Sequence, residues 1–194
     1  MAPLWTMAAA LAAAYLGLLG AGKKGLLKIT PAITLALATA PESPLVASAF
    51  GCCALGDLFL LWPKQWFLHG LASFLVGHVL FIVSFATMSD IAPPIWAVVP
   101  VAIATVLMLV LLLPHLRGVL RFAVPLYAGA LGGMAIMAST ISPIAFAGGM
   151  TFIASDAVLA LDRFRAPIRG GTAVVMTTYY GALLLLSAAV LGLG

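Results

Sequence analysis

An all-helical bundle that crosses a membrane several times is the fold class this sequence predicts, and three observations predict it. Hydrophobic residues make up 64% of the 194, charged residues only 7%, and the mean hydropathy is +1.23. Apolar runs broken by Pro, Gly and charge clusters recur eight times. The basic residues fall only on alternate breaks between those runs. A soluble domain carries about a quarter charged residues, so this chain lacks the polar surface to cover a water-exposed globule. Eight spans of about 20 residues each use roughly 160 positions and leave about 34 for loops and tails. Residues 1–194 therefore read as a single transmembrane domain of eight helices. A soluble enzyme, a DNA-binding module and a secreted disulfide scaffold are excluded.

The first run covers 4–19 and closes at Gly20-Ala21-Gly22 and Lys23-Lys24. A short second run covers 28–39 and stops at Pro41-Glu42-Ser43-Pro44; it is too short to span without tilting, thinning the bilayer or extending into its flanks. The third covers 45–62, ended by Pro63-Lys64, and the fourth 66–88, ahead of Asp90 and Pro93-Pro94. The fifth covers 95–113, before Pro114; the sixth 122–140, the seventh 144–161 and the eighth 172–193. Cys52 and Cys53 are adjacent inside an apolar run, where they read as small core residues.

Placing the charges on these runs orients the chain. Lys23, Lys24 and Lys28 fall at the first connection, Lys64 at the third, Arg117 and Arg121 at the fifth, Arg163, Arg165 and Arg169 at the seventh. The even connections hold only Glu42 and Asp90. A wrong helix count would scramble this segregation. By the positive-inside rule the odd connections are cytoplasmic and both termini lie outside. A cleaved signal peptide is not expected, because the lysines follow the first apolar run instead of preceding it. The net charge of +4 is spread over short loops, which suits topology and anionic lipid but makes no phosphate-tracking stripe; no nucleic-acid partner is expected.

Of the five carboxylates only Asp57 and Asp156 lie within runs. A charge at mid-bilayer costs about 2.5–3.5 kcal/mol on the insertion scale, which makes each a functional candidate. Both runs head from outside to cytoplasm, and each aspartate stands about five residues before its run ends, at a shared depth of roughly 8 Å below the boundary. Lys28, Tyr127, Tyr179 and Tyr180 fall near the same level, and His78 lies deeper, with Gly70, Phe74 and Phe81 on its face of the fourth helix. Ser155 precedes Asp156, and Gly148-Gly149 two turns earlier permits close helix approach. Gly129-x-x-x-Gly133 reads as packing, and His69 and His115, near loops, as bland. There is no Gly-rich phosphate loop, no G-x-S-x-G and no H-E-x-x-H.

Three stretches are specific: Leu55-Gly56-Asp57-Leu58-Phe59-Leu60-Leu61, Gly70-x-x-x-Phe74 followed by Gly77-His78, and Phe152-x-x-Ser155-Asp156-x-x-Leu159-Ala160. They resemble the YhhN family, in order and over essentially the whole chain. The resemblance implies a lysoplasmalogenase-like hydrolase that cleaves the vinyl ether bond of a lysoplasmalogen to a fatty aldehyde and glycerophospho-ethanolamine or -choline. It implies Asp57, Asp156 and His78 as catalytic residues, and matches Lys28 to the basic residue opening the second helix. Where the family has a glutamine after the tyrosine pair, this chain has Leu183 or a neighbour. The short connections suit a bacterial-type member in the inner membrane.

The chemistry suits these residues on its own terms. A vinyl ether hydrolyses when an acid protonates the carbon remote from oxygen, leaving an oxocarbenium ion that water attacks. One aspartate stays protonated to donate; the other is ionised, steadying the cation and accepting a proton from water. A lysophospholipid-type substrate enters from the surrounding membrane lipids, with its head group near Lys28, Tyr127, Ser155, Tyr179 and Tyr180. Neither a metal nor another cofactor is required, and protein partners are left open. Two other readings compete. A small transporter or lipid-binding protein would use the aspartates with His78 as a proton relay; internal repeats would favour it, yet aligning the two aspartates pairs Leu60 with Leu159 and little else. A metal-dependent hydrolase would use Asp57, His78 and Asp156 as ligands.

The charge segregation makes a direct prediction. Reporter fusions after Gly25 and Gly170 should report the cytoplasm and a fusion at the C terminus the outside. A cytoplasmic C terminus would mean a miscounted span.

Overall fold

The computed structural model describes residues 2–20 and 25–193 of the chain. Lys23 and Lys24, expected at the first connection, lie outside the described residues. Eight α-helices follow one another, with no strand among the described residues: α1 (Ala2–Gly20), α2 (Thr30–Thr39), α3 (Pro44–Phe59), α4 (Pro63–Met88), α5 (Ile95–Leu112), α6 (Leu120–Ala138), α7 (Pro143–Phe164) and α8 (Gly171–Val190). Short 3-10 turns at Leu26–Ile29 and Leu113–His115 lead into α2 and out of α5. Pro31, Pro44 and Pro143 stand in first turns, where the missing N–H has no intrahelical role. Ser43 and Ser142 cap α3 and α7, accepting from the amides of Val46 and Ala145.

Six helices, α1 and α4 to α8, are long and apolar enough to cross a membrane, and this is a multi-pass membrane protein. The 26–39 segment and α3 are shorter. At 1.5 Å per residue, the 16 residues of α3 reach about 24 Å, against roughly 30 Å of hydrocarbon. The expected third run extended to residue 62. It stops at Phe59 because the ladder tightens: Leu61 and Trp62 donate back three residues, to Leu58 and Phe59. Trp62 then leaves helical geometry (φ −120°, ψ 65°) ahead of Pro63, as a residue before proline tends to, and α4 starts three residues earlier than expected.

Contacts run in a closed circuit, α1 on α2, α2 on α3, α3 on α4, α4 on α6, α6 on α7, α7 on α8, with α8 returning to α1 and α2. Helix α5 stands outside this circuit against α6 and α7. Its outer face, Ile103, Val106, Leu107 and Val110, is more than half exposed, a row of large aliphatics that suits lipid and not water. One apolar core takes buried residues from all eight helices. Cys52 and Cys53 are free, and Cys53 is buried in that core.

Glycine allows the closest approaches. A Cβ on Gly149 would meet the Cα of Ala135 at 2.7 Å, and one on Gly148 the backbone N of Leu186 at 3.0 Å, so the pair in α7 admits α6 on one side and α8 on the other. A Cβ on Gly56 would sit 2.5 Å from the Phe74 ring, which locks α3 onto α4 one residue before Asp57. Gly129, expected to pack, is exposed and has nothing within 4 Å of its Cβ position; α6 makes its tight contacts through Gly132 and Gly133 instead. The same substitution should therefore split in sign. Gly149→Ala should lower stability by about 1–3 kcal/mol through overpacking, while Gly129→Ala should raise it by up to about 1 kcal/mol through helix propensity. Thermal midpoints in detergent measure both.

Candidate active site

A lysine cannot stay buried without a counter-charge, and that requirement organises the site. The 3-10 turn ahead of α2 tucks Lys28 into the bundle, where it is 8% exposed and its Nζ lies 3.0 Å from Asp57 Oδ1. Tyr179 of α8 donates its hydroxyl to Asp57 Oδ2 at 2.7 Å. Asp57 is 2% exposed, with both carboxylate oxygens engaged. Neighbouring residues on a helix point about 100° apart, so Tyr180 reaches a different group and donates to the main-chain carbonyl of Lys28 at 2.9 Å. The tyrosine pair thus holds both the lysine's backbone and its counter-ion.

Asp156 is held differently. It is only partly buried, it accepts a hydrogen bond from the Tyr127 hydroxyl through Oδ2, and no cation lies within ion-pair distance among the described residues. The same hydroxyl is 3.1 Å from His78 Nε2. His78 is fully buried, and its Nδ1 has no hydrogen-bond partner among the described residues. A hydroxyl has one proton to give. With that proton on the Asp156 bond, Nε2 of His78 carries the ring N–H.

Both carboxylates line one cavity of about 310 Å³, within the range of small-molecule sites. Its polar wall is formed by Tyr15, Lys28, Asp57, Tyr127, Ser155, Asp156 and Tyr179, and its apolar wall by residues such as Leu60, Leu71, Met108, Leu112 and Val124. Arg163, Phe164 and Thr172 line it where α7 ends and α8 begins. Phe152 packs edge-on against both Tyr179 (5.5 Å between centroids) and His78 (4.8 Å), so aromatic rings brace the two hydrogen-bonded sets.

Most of the expected site residues meet here, with differences. His78 and Tyr180 do not line the cavity; His78 reaches it through Tyr127, and Tyr180 ties down Lys28. Ser155 lines it, but its hydroxyl donates to the Val175 carbonyl of α8 at 3.0 Å. The expected equal distance of the aspartates from their helix ends is corrected: Asp57 stands two residues before the end of α3 and Asp156 eight before the end of α7. They still face one cavity, because α3 stops early and α7 runs on. Asp57, His78 and Asp156 do not form a three-ligand group, and no set of three or more His, Cys, Asp or Glu among the described residues is placed to hold a metal ion. Leu183, at the departure from the family pattern, is fully buried core. His69 is exposed and packs with Trp66 and Phe59.

Several lining residues went unrecognised in the sequence, among them Tyr15, Thr105, Asp162, Thr172 and Arg163. Tyr15 had no signal beyond its type. Arg163 had one: it lies seven residues after Asp156, two turns along the same helix face.

The YhhN family model matches residues 23–190. The chain belongs to the YhhN family. This YhhN chain is similar to lysoplasmalogenase TMEM86A of Bos taurus, 29% identical over 171 residues that take in 78% of the chain and 67% of that protein. It is also similar to lysoplasmalogenase TMEM86B of Sus scrofa, at 35% over 72% of the chain and 60% of the relative, and of Homo sapiens, at 34% over 74% and 62%. The matches thus span about two thirds or less of the length of these curated relatives. No solved structure matches the chain.

The ion pair predicts how the YhhN chain tolerates change. Asp57→Asn leaves Lys28 buried without a counter-charge and should destabilise by about 3–5 kcal/mol. Adding Lys28→Met should recover most of that loss in a detergent thermal melt, since asparagine still accepts from Tyr179. Equal stability of D57N with and without K28M would show that the pair is not the constraint.

Proposed function

We propose that this YhhN protein is an intramembrane lipid hydrolase of lysoplasmalogenase type, opening the vinyl ether bond of a lysoplasmalogen to a fatty aldehyde and glycerophospho-ethanolamine or -choline. We further propose that the chain is one transmembrane domain of eight spans, with both termini outside a bacterial inner membrane. The observation that supports the activity is the inequality of the two carboxylates on a single cavity. Asp57 is matched by Lys28 and has both oxygens occupied, which suits a permanent charge. Among the described residues Asp156 has no matching cation and is held by a tyrosine through Oδ2; it is open to the cavity, which suits an acid that can hold and release a proton.

Protonated Asp156 gives its proton to the remote carbon of the vinyl ether, the carbon–carbon double bond supplying the electron pair. The adjacent carbon becomes an oxocarbenium ion, steadied by the new Asp156 carboxylate and by the negative end of the Lys28–Asp57 pair. Water adds to that carbon and returns a proton to Asp156. Asp57 does not take it, because its oxygens already accept from Lys28 and Tyr179. The hemiacetal then transfers its hydroxyl proton to the glycerol oxygen as the carbon–oxygen bond breaks, releasing aldehyde and alcohol. Tyr127, itself 3.1 Å from His78 Nε2, keeps Asp156 oriented.

Hydrolysis in heavy water tests this. The aldehyde, trapped as a stable derivative, should hold one solvent deuterium on the carbon next to the carbonyl, and the oxygen of labelled water should appear in the aldehyde. Asp156→Asn should lower kcat by about 10²–10⁴-fold with the fold retained, as expected when a general acid is lost. Aldehyde without that deuterium, or a D156N variant with near-wild-type turnover, would overturn the scheme.

A further inference from the structure

We infer that Arg163 is the phosphate-binding residue of this cavity and that it restricts the substrate to lipids bearing a phosphorylated glycerol. The inference rests on the vinyl ether reading above and deepens it. Asp156, Leu159, Ala160 and Arg163 line the cavity from one face of α7. Seven residues at 1.5 Å each set Arg163 about 10 Å further along the axis than Asp156. In a lysoplasmalogen, seven bonds separate the carbon that is protonated from phosphorus. At the roughly 1.2 Å advance per bond of an extended chain, that is about 8 Å. A lipid whose reacting carbon faces Asp156 therefore brings its phosphate within reach of the arginine's long side chain.

The direction is right as well as the length. Arg163 stands in the last turn of α7, at the end of the bundle that holds the basic connections, and Asp156 lies two turns deeper. A lipid held this way has its head group toward the interface and its chain toward the bilayer middle. Lys28, also on the cavity, has its Nζ 3.0 Å from Asp57 Oδ1. The Arg163 guanidinium lies 4.8 Å from the centroid of Phe67, another lining residue, which settles the planar group against the cavity wall. The neighbouring carboxylate, Asp162, also lines the cavity, and its Oδ1 accepts from the Ile168 amide of the loop between α7 and α8 at 2.6 Å. Thr172, also lining this end, adds a hydroxyl. Guanidinium binds phosphate through paired N–H groups, whereas a free glycerol hydroxyl offers no matching charge.

The test is equilibrium binding to the purified full chain in detergent of two unreactive ligands, 1-O-hexadecyl-glycero-3-phosphocholine and 1-O-hexadecylglycerol. The wild-type protein should bind the phosphate-bearing ether about tenfold or more tightly than the alkylglycerol. Arg163→Gln should reduce that preference to under about twofold, and Arg163→Lys should keep part of it. The alkylglycerol serves as the control for folding. A wild-type protein with no preference, or an R163Q variant that keeps the preference or weakens both ligands equally, would overturn the inference. Loss of preference in R163Q from a protein that releases no aldehyde would instead leave the phosphate site standing and remove the vinyl ether reaction.

Discussion

A lysine and an aspartate facing one another in a low-dielectric interior are the constraint on which the rest of this structure depends. Each is costly to bury alone, and together they are tolerable only when the remaining hydrogen-bonding capacity is met. The 3-10 turn at Leu26–Ile29 presents Lys28 inward, the last turn of α3 presents Asp57, and two successive tyrosines of α8 complete both. Three elements distant in the chain are thereby fastened at one level. The aromatic rings of Phe74 and Phe152 close against Tyr179 and shield the pair from the rest of the core.

Around that fixed pair the helices are unequal in length, and the inequality makes the cavity. Helix α3 ends at Phe59, so Leu60 and Leu61 turn aside and line a space that a longer helix would fill. Helix α7 passes the same level and continues to Phe164, supplying the far wall, Asp156 and the basic residue at its end. The two aspartates consequently occupy different settings. One is sealed and neutralised; the other is reachable and, among the described residues, joined to a tyrosine. Chemistry that needs a resident charge beside a mobile proton fits such a division.

How much of this was legible in the residues depends on range. Helix number and approximate bounds were legible, because proline, glycine and charge interrupt apolar runs locally. The intramembrane aspartates stood out because their burial in lipid is costly wherever they end up. Depth was less readable. It was measured from helix ends, and the end of α3 was set by its final 3-10 turn ahead of Pro63. Side-chain direction was least readable: Ser155 and Tyr180 have the right type and level, yet one hydroxyl bonds a carbonyl of α8 and the other the backbone of Lys28. Gly129 and Gly149 look alike in sequence and differ completely in what surrounds them.

The amino-acid sequence by itself determined the all-helical membrane class, the alternation of basic connections and the small set of polar residues that must find partners inside. Those follow from composition and from spacing along one chain, where the governing energies are desolvation and helix geometry. Only the tertiary structure decided which partner each polar residue found. It joined Lys28 to Asp57 and Tyr127 to Asp156, and it kept His78 behind Tyr127 instead of at the cavity surface. Such choices turn on distances of a few ångströms between helices far apart in sequence, and those distances are set by packing, here by glycines that admit a neighbour and by a helix that stops short.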